Sequence, residues 1–256
     1  MPASTREEMI KLRHFIPFLM AWLLTLPGMA QPSDLQTRWG LELEKDFRKG
    51  FDLSLSYQAR VGNNAQAFQG SYFSLSTGYK INKWLRAQAE IRYATSPVWD
   101  KFRTGAGLVA RKNFHKNQLE IRLLYQYEWY YQSIPELGQN LSKNILRLRL
   151  QYTRKLVKNL KAFVGIEPRW MVKEQLGYVQ RVRNSLGLEW GFFKHHSLQV
   201  VYFYQPEFNS SYTWNNTLHV INLNYLVSIP KLKKKQKAEP EKDKGKEGKK
   251  SKEKGN

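Results

Sequence analysis

Arginine and glutamate recur at every second position through the middle of this sequence. Arg60, Arg86, Arg92, Arg122, Arg147, Arg149, Arg169, Arg181 and Arg183 carry the cations, most of them between apolar neighbours. Glu90, Glu120, Glu128, Glu167 and Glu189 fall in the same rows, with Arg103, Arg111, Lys161, Asp52 and Glu207 extending them. Two kinds of chemistry suit such rows. A guanidinium presents a planar fork of donors that matches carboxylate and phosphate, so arginines around an enclosed space lower the barrier for anions. The same residues interleaved with carboxylates form cross-strand ion-pair ladders that fill the space instead. The sequence leaves both open, an anion-attracting lumen and a filled interior.

Other site chemistry has little support. The chain has no cysteine, which excludes thiolate metal sites and cysteine nucleophiles. Covalent catalysis needs a nucleophile, a base and a group that orients the base. His115, His195 and His196 fall in expected turns. His219 is expected to be the only histidine of the mature chain on a strand, and no serine follows it at the next same-face position. Adjacent His195 and His196 in a turn read as solvated. The expectation is no catalytic site, no metal and no cofactor.

The elements that must carry these rows alternate with period two. Leu85, Ala87, Ala89, Ile91 and Tyr93 oppose Arg86, Gln88, Glu90 and Arg92; Leu119, Ile121, Leu123 and Tyr125 oppose Glu120, Arg122 and Gln126. This is the strand period, not the helix period. Eleven such segments are legible: 37–45, 51–61, 68–80, 84–94, 101–112, 118–131, 143–154, 160–172, 178–190, 197–208 and 217–229. Most exceed the ~5–6 residues of an ordinary strand and reach the ~9–11 that a tilted strand needs to cross a bilayer. The fold class expected is all-β, an antiparallel up-and-down transmembrane barrel of ten to twelve strands. Bacterial single-chain barrels usually have an even number.

The connections form two expected sets. Residues 46–50, 81–83, 113–117, 155–159 and 191–196 are short and polar. Residues 62–67, 95–100, 132–142 and 209–215 are longer. Alternating short and long connections suit periplasmic turns and external loops. Trp84, Trp129, Trp170 and Trp190 fall near strand ends, with Tyr79, Tyr93, Tyr130, Tyr131 and Tyr152, as in interfacial aromatic girdles.

The chain ends differ from this body. Lys11, Arg13 and His14 precede an apolar run from Phe15 to Leu26, followed by Gly28 and Ala30 at signal-peptidase spacing. Residues 1–30 therefore read as a signal peptide, the run being well short of the ~20 residues a spanning helix requires. Residues 31–230 read as the barrel. In residues 231–256 lysine outnumbers acidic residues more than two to one, with almost nothing apolar. That composition predicts a disordered tail. The 256-residue chain has a formal charge of +21, which invites a nucleic-acid partner, but an exported protein does not meet one. Mean hydropathy is −0.61, as expected where lipid-facing and lumen-facing residues cancel.

The segment Gln36-Thr37-Arg38-Trp39-Gly40-Leu41-Glu42-Leu43-Glu44-Lys45, the following Lys49-Gly50-Phe51-Asp52-Leu53-Ser54-Leu55 and the Arg-rich amphipathic strands resemble the domain of unknown function 2490 family of Gram-negative outer-membrane proteins. The resemblance spans roughly residues 31–230. It implies a barrel and no established activity, and does not extend to the Lys-rich tail. The expectation is an outer-membrane barrel in contact with outer-membrane lipid, either structural or a narrow anion-preferring channel for small anions. The alternatives are a lipid-modifying barrel enzyme, or an anchor that holds a periplasmic or envelope partner through the basic tail.

Overall fold

The computed structural model describes residues 33–47, 50–97, 99–132, 141–172 and 177–230. The expected signal peptide and the Lys-rich tail lie outside them. Eleven strands run in chain order: β1 (Ser33–Asp46), β2 (Phe51–Gly62), β3 (Ala67–Lys80), β4 (Leu85–Thr95), β5 (Trp99–Phe114), β6 (Asn117–Gln132), β7 (Leu141–Val157), β8 (Leu160–Val172), β9 (Tyr178–Phe193), β10 (His196–Phe208) and β11 (Trp214–Ile229). Each pairs with its chain neighbours, and β1 pairs with β11 to close the barrel. With an odd number of up-and-down strands the last must run the same way as the first. The β1–β11 seam is accordingly parallel, from Ser33↔Thr217 to Lys45↔Ile229, while every other pair is antiparallel. The chain therefore enters the barrel at one end and leaves it at the other.

The register is steeply sheared. Partner to partner from Asp46 the path runs through Asp52, Gly78, Gln88, Gly107, Leu124, Arg147, Arg169, Arg181 and Glu207 to Asn216. The next residue, Thr217, partners Ser33. One circuit thus slides from the end of β1 to its beginning, the tilt that closure of a barrel demands.

The two faces invert the usual order of a globular protein. Trp39, Leu41, Leu55, Phe73, Leu75, Ile91, Leu123, Leu150, Leu188 and Ile221 are exposed on the outside. Buried polar and charged side chains (Arg38, Asp52, Gln58, Arg103, Glu120, Gln126, Glu128, Glu167, Arg169, Gln205, Asn222) outnumber buried apolar ones on the inside. Contiguous apolar exposure of this extent is rare on a monomer in water. It is the pattern of a barrel with lipid outside and a polar interior.

Several expectations change in detail. β5 begins at Trp99, so the connection 95–100 shrinks to 96–98, and the contrast between short and long connections nearly disappears in the first half of the barrel. His196 begins β10 rather than closing a turn, so His219 is not the only histidine on a strand. Tyr130 leaves the aromatic girdle. Its register opposite Lys101 turns it inward, where its hydroxyl donates to Glu128 at 2.7 Å. Trp84, Trp190, Tyr79, Tyr93 and Tyr131 are exposed outside.

The β2–β3 turn is unusual. Asn63, Asn64 and Ala65 all have positive φ (51°, 55° and 62°). Asn64 N–H donates to Asp34 Oδ1 and Ala65 N–H to the Leu35 carbonyl, which ties this left-handed turn to the start of β1. Beyond it Gly70, at φ 128°, faces Arg60 where the register slips. A side chain there would collide with the Thr95 carbonyl, so glycine is required.

Candidate functional site

Alternation on a closed sheet sends every second side chain inward, and the shear brings distant strands to one level. The result is a set of arginines that share few carboxylates. Glu167 accepts from Arg122 at 2.6 Å and from Arg147 Nε at 3.1 Å, with Arg183 Nη1 at 3.8 Å. Glu128, fully buried, takes Arg169 at 2.9 Å, Arg103 at 3.5 Å and Lys101 at 3.9 Å. Arg103 also reaches Glu90 at 3.2 Å. Glu120 pairs with Arg149 and, at 2.6 Å, with Arg111. Arg86 pairs with Asp52, Lys161 with Glu189 at 2.8 Å and Arg181 with Glu207 at 3.3 Å.

Some of these pairs are direct cross-strand neighbours, as Arg111↔Glu120 and Arg103↔Glu128 are. Others skip a strand. Arg122 on β6 reaches Glu167 on β8, and Arg86 on β4 reaches Asp52 on β2. Only a concave inner face lets side chains bridge in this way. Such bridging is needed because the register sets like charges side by side: Arg38↔Arg60, Arg92↔Arg103, Arg122↔Arg149 and Arg147↔Arg169↔Arg181. Like charges directly opposite each other are destabilising, so carboxylates from other strands must intervene.

The interior is not filled evenly. A cavity of about 360 Å³ lies within the barrel, lined from every strand except β6. Its basic lining residues are Arg38, Arg60, Arg92, Lys101, Arg103, Arg147, Arg149, Arg169, Arg181 and Arg183; Glu167 is the acidic one. Gln58, Tyr72, Gln199, Phe203, Asn222 and Asn224 complete the wall. The β6 side is closed by Leu124, Gln126 and Glu128, none of them accessible.

Of the arginines and glutamates singled out in the sequence, Arg60, Arg92, Arg103, Arg147, Arg149, Arg169, Arg181, Arg183 and Glu167 surround this cavity. Arg86, Arg122, Glu90, Glu120, Glu128 and Glu189 do not line it; their charges are engaged in the ion pairs above. Arg38, Lys101, Tyr72 and Phe203 line the cavity and were not singled out. Arg38 was accessible to the same logic, since it alternates with Trp39 and Leu41 in the row of Gln36, Glu42 and Glu44. Tyr72 stood in the row of Ser74 and Ser76, opposite Phe73 and Leu75, but an aromatic side chain beside Phe73 blurred that alternation.

Arg60 and Arg92 both lie against the Tyr72 ring, their Cζ atoms 4.8 Å and 4.0 Å from its centre. Arg38 donates to Gln36 at 3.2 Å and feels the like charges of Arg60, Arg183 and Arg181. Gln58 and Asn222, which hydrogen-bond each other at 2.8 Å, complete this side.

The histidines stand elsewhere. His196 Nδ1 lies 2.8 Å from the Tyr225 hydroxyl and His219 Nδ1 2.7 Å from that of Tyr202, on outward-facing rows. Among the described residues, no cluster of His, Cys, Asp and Glu has the geometry to hold a metal ion.

No curated protein matches the sequence. Among solved structures the chain is similar to an anion-selective porin from Comamonas acidovorans, with 12% identity and a TM-score of 0.34, over 67% of this chain and 52% of that one. It is also similar to a KdgM porin, with 13% identity and a TM-score of 0.41, over 67% of this chain and 91% of that one. The chain thus spans about half the length of the first of these porins. Residues 37–216 match the family described as "protein of unknown function (DUF2490)", and the chain belongs to that family.

Proposed function

We propose that this protein is a bacterial outer-membrane barrel whose narrow lumen prefers small anions. The observation that carries this reading is the cavity encircled by the strands, with its excess of guanidinium groups over one carboxylate. Walls of one charge sign and low dielectric concentrate ions of the opposite sign, and rings of arginine act as filters for anions. The apolar outer face supplies the membrane-facing half of the argument.

A closed structural barrel is the second reading, supported by the ion pairs that bridge β5 to β9 through Glu128 and Glu167. Barrels well below the ~16 strands of open porins tend to fill with side chains. Reconstitution in planar bilayers with a salt gradient separates the two. The channel reading expects small unitary conductance and a reversal potential on the anion side. Absence of conductance, or cation preference, rules against it.

A further inference from the structure

On β5 to β9 every inward arginine has a carboxylate within ion-pair distance. Arg38, Arg60 and Arg92, on β1, β2 and β4, have none among the described residues. Arg38 stands directly opposite Arg60, and Arg60 and Arg92 meet at the Tyr72 ring. The Nε atoms of all three are buried without a hydrogen-bond partner, as are those of Arg103, Arg122, Arg149, Arg169 and Arg181, but only the latter five have a carboxylate to offset the charge. Tyr72 offsets part of the repulsion through cation–π contact, but a ring quadrupole does not neutralise three full charges. Buried donors without partners and like charges without counter-charges both oppose folding. Such an arrangement persists when an anion completes it.

We propose that Arg38, Arg60 and Arg92, gathered around Tyr72, form a binding site for a divalent oxyanion of the phosphate class. This rests on the reading of the lumen as anion-preferring and names the anion it holds. Three converging guanidiniums favour an anion with several acceptor oxygens and more than one charge, because each fork can then engage its own oxygen. A monovalent halide satisfies one. The one carboxylate in the cavity wall, Glu167, is already shared by Arg122, Arg147 and Arg183, and Glu90, whose charge Arg92 also feels, is paired with Arg103. The cavity volume stands at the lower end of the ~300–1,000 Å³ range of small-molecule sites, enough for phosphate or a small phosphomonoester.

The test is equilibrium dialysis of the full chain in detergent against radiolabelled inorganic phosphate. Saturable binding at one site is expected, displaced by sulfate and poorly by chloride. R60Q and R92Q should each weaken it by about tenfold or more, the loss of a charge-assisted hydrogen bond. R111Q removes an equal charge from the Glu120 pair outside the cavity and should change affinity by no more than about twofold. Heat-modifiable migration identifies folded variants, and R38Q tests the same site if another fails to assemble. Absence of saturable binding overturns the site, as does an R111Q loss equal to that of R60Q. Binding in detergent needs no open pore. A barrel that binds phosphate without conducting keeps the site and loses the channel, and one that conducts anions without binding phosphate does the reverse.

Discussion

Gln58 on β2 donates a hydrogen bond of 2.8 Å to Asn222 on β11, across the strand that lies between them. The bridge spans β1 beside Gly40, whose neighbours in register are Gln58 and Asn224. A side chain on Gly40 would overlap the Asn224 amide. The parallel seam thus depends on a strand that is bare at this point, so that polar groups from both sides meet over it.

Substitution of Gly40 by valine should therefore loosen closure. Overpacking of this kind costs about 1–3 kcal/mol. The expected outcome is a lower temperature for conversion from the compact to the unfolded band on gels, with Gly40→Ala intermediate. A Gly40→Val barrel as heat-resistant as the parent would show that the seam does not rely on this contact.

Glu167 holds Arg122, Arg147 and Arg183 together. Its replacement by glutamine leaves three cations facing one another. Removal of one partner from a buried pair destabilises by about 3–5 kcal/mol, an upper bound in a lumen that admits water. Thermal unfolding in detergent should fall accordingly. If the barrel conducts, the same variant should shift the reversal potential further toward the anion side. A shift toward cations contradicts the lumen electrostatics.

Ala65 offers the opposite sign. Its φ of 62° is left-handed, as are those of Asn63 and Asn64. A left-handed alanine costs roughly 1–2 kcal/mol, while glycine adopts the conformation freely at some loss of unfolded-chain entropy. Ala65→Gly should leave folding intact and raise the unfolding midpoint slightly. A clear destabilisation would mean that the extra conformational entropy of glycine in the unfolded chain outweighs the relief of the left-handed alanine.

Topology can be read with single cysteines, since the chain has none of its own. The turn at 63–66 lies at the end where β1 starts, and the turn at 115–116 lies at the end where β11 finishes. With the end that carries the 133–140 and 209–213 connections facing outward, Asn64→Cys should react with an impermeant maleimide on intact cells and Lys116→Cys should not. Ile229, the last residue of β11, lies at the same end as Lys116, so in this orientation β11 ends on the periplasmic side. Labelling of Lys116→Cys alone reverses this orientation.

By itself the sequence determined the strands and their faces. Alternation is a local property: with two residues per repeat, the neighbours Ile121 and Leu123 decide which way Arg122 points, and all eleven strands were legible within a few residues of their ends. The same rule places Arg60, Arg92, Arg147 and Glu167 on one surface without knowledge of any partner. It could not settle the number of strands as a closed set, since an odd barrel requires the parallel β1–β11 pair, and nothing in either segment announces its partner. Nor could it separate Arg147, held by Glu167, from Arg92, which stacks on Tyr72 and has no carboxylate within ion-pair distance among the described residues. That division was decided by the tertiary structure. The shear of the closed sheet sets which strands meet across the lumen, and long side chains reach past their immediate neighbours to carboxylates two strands away, so pairing follows from curvature and register rather than from sequence spacing.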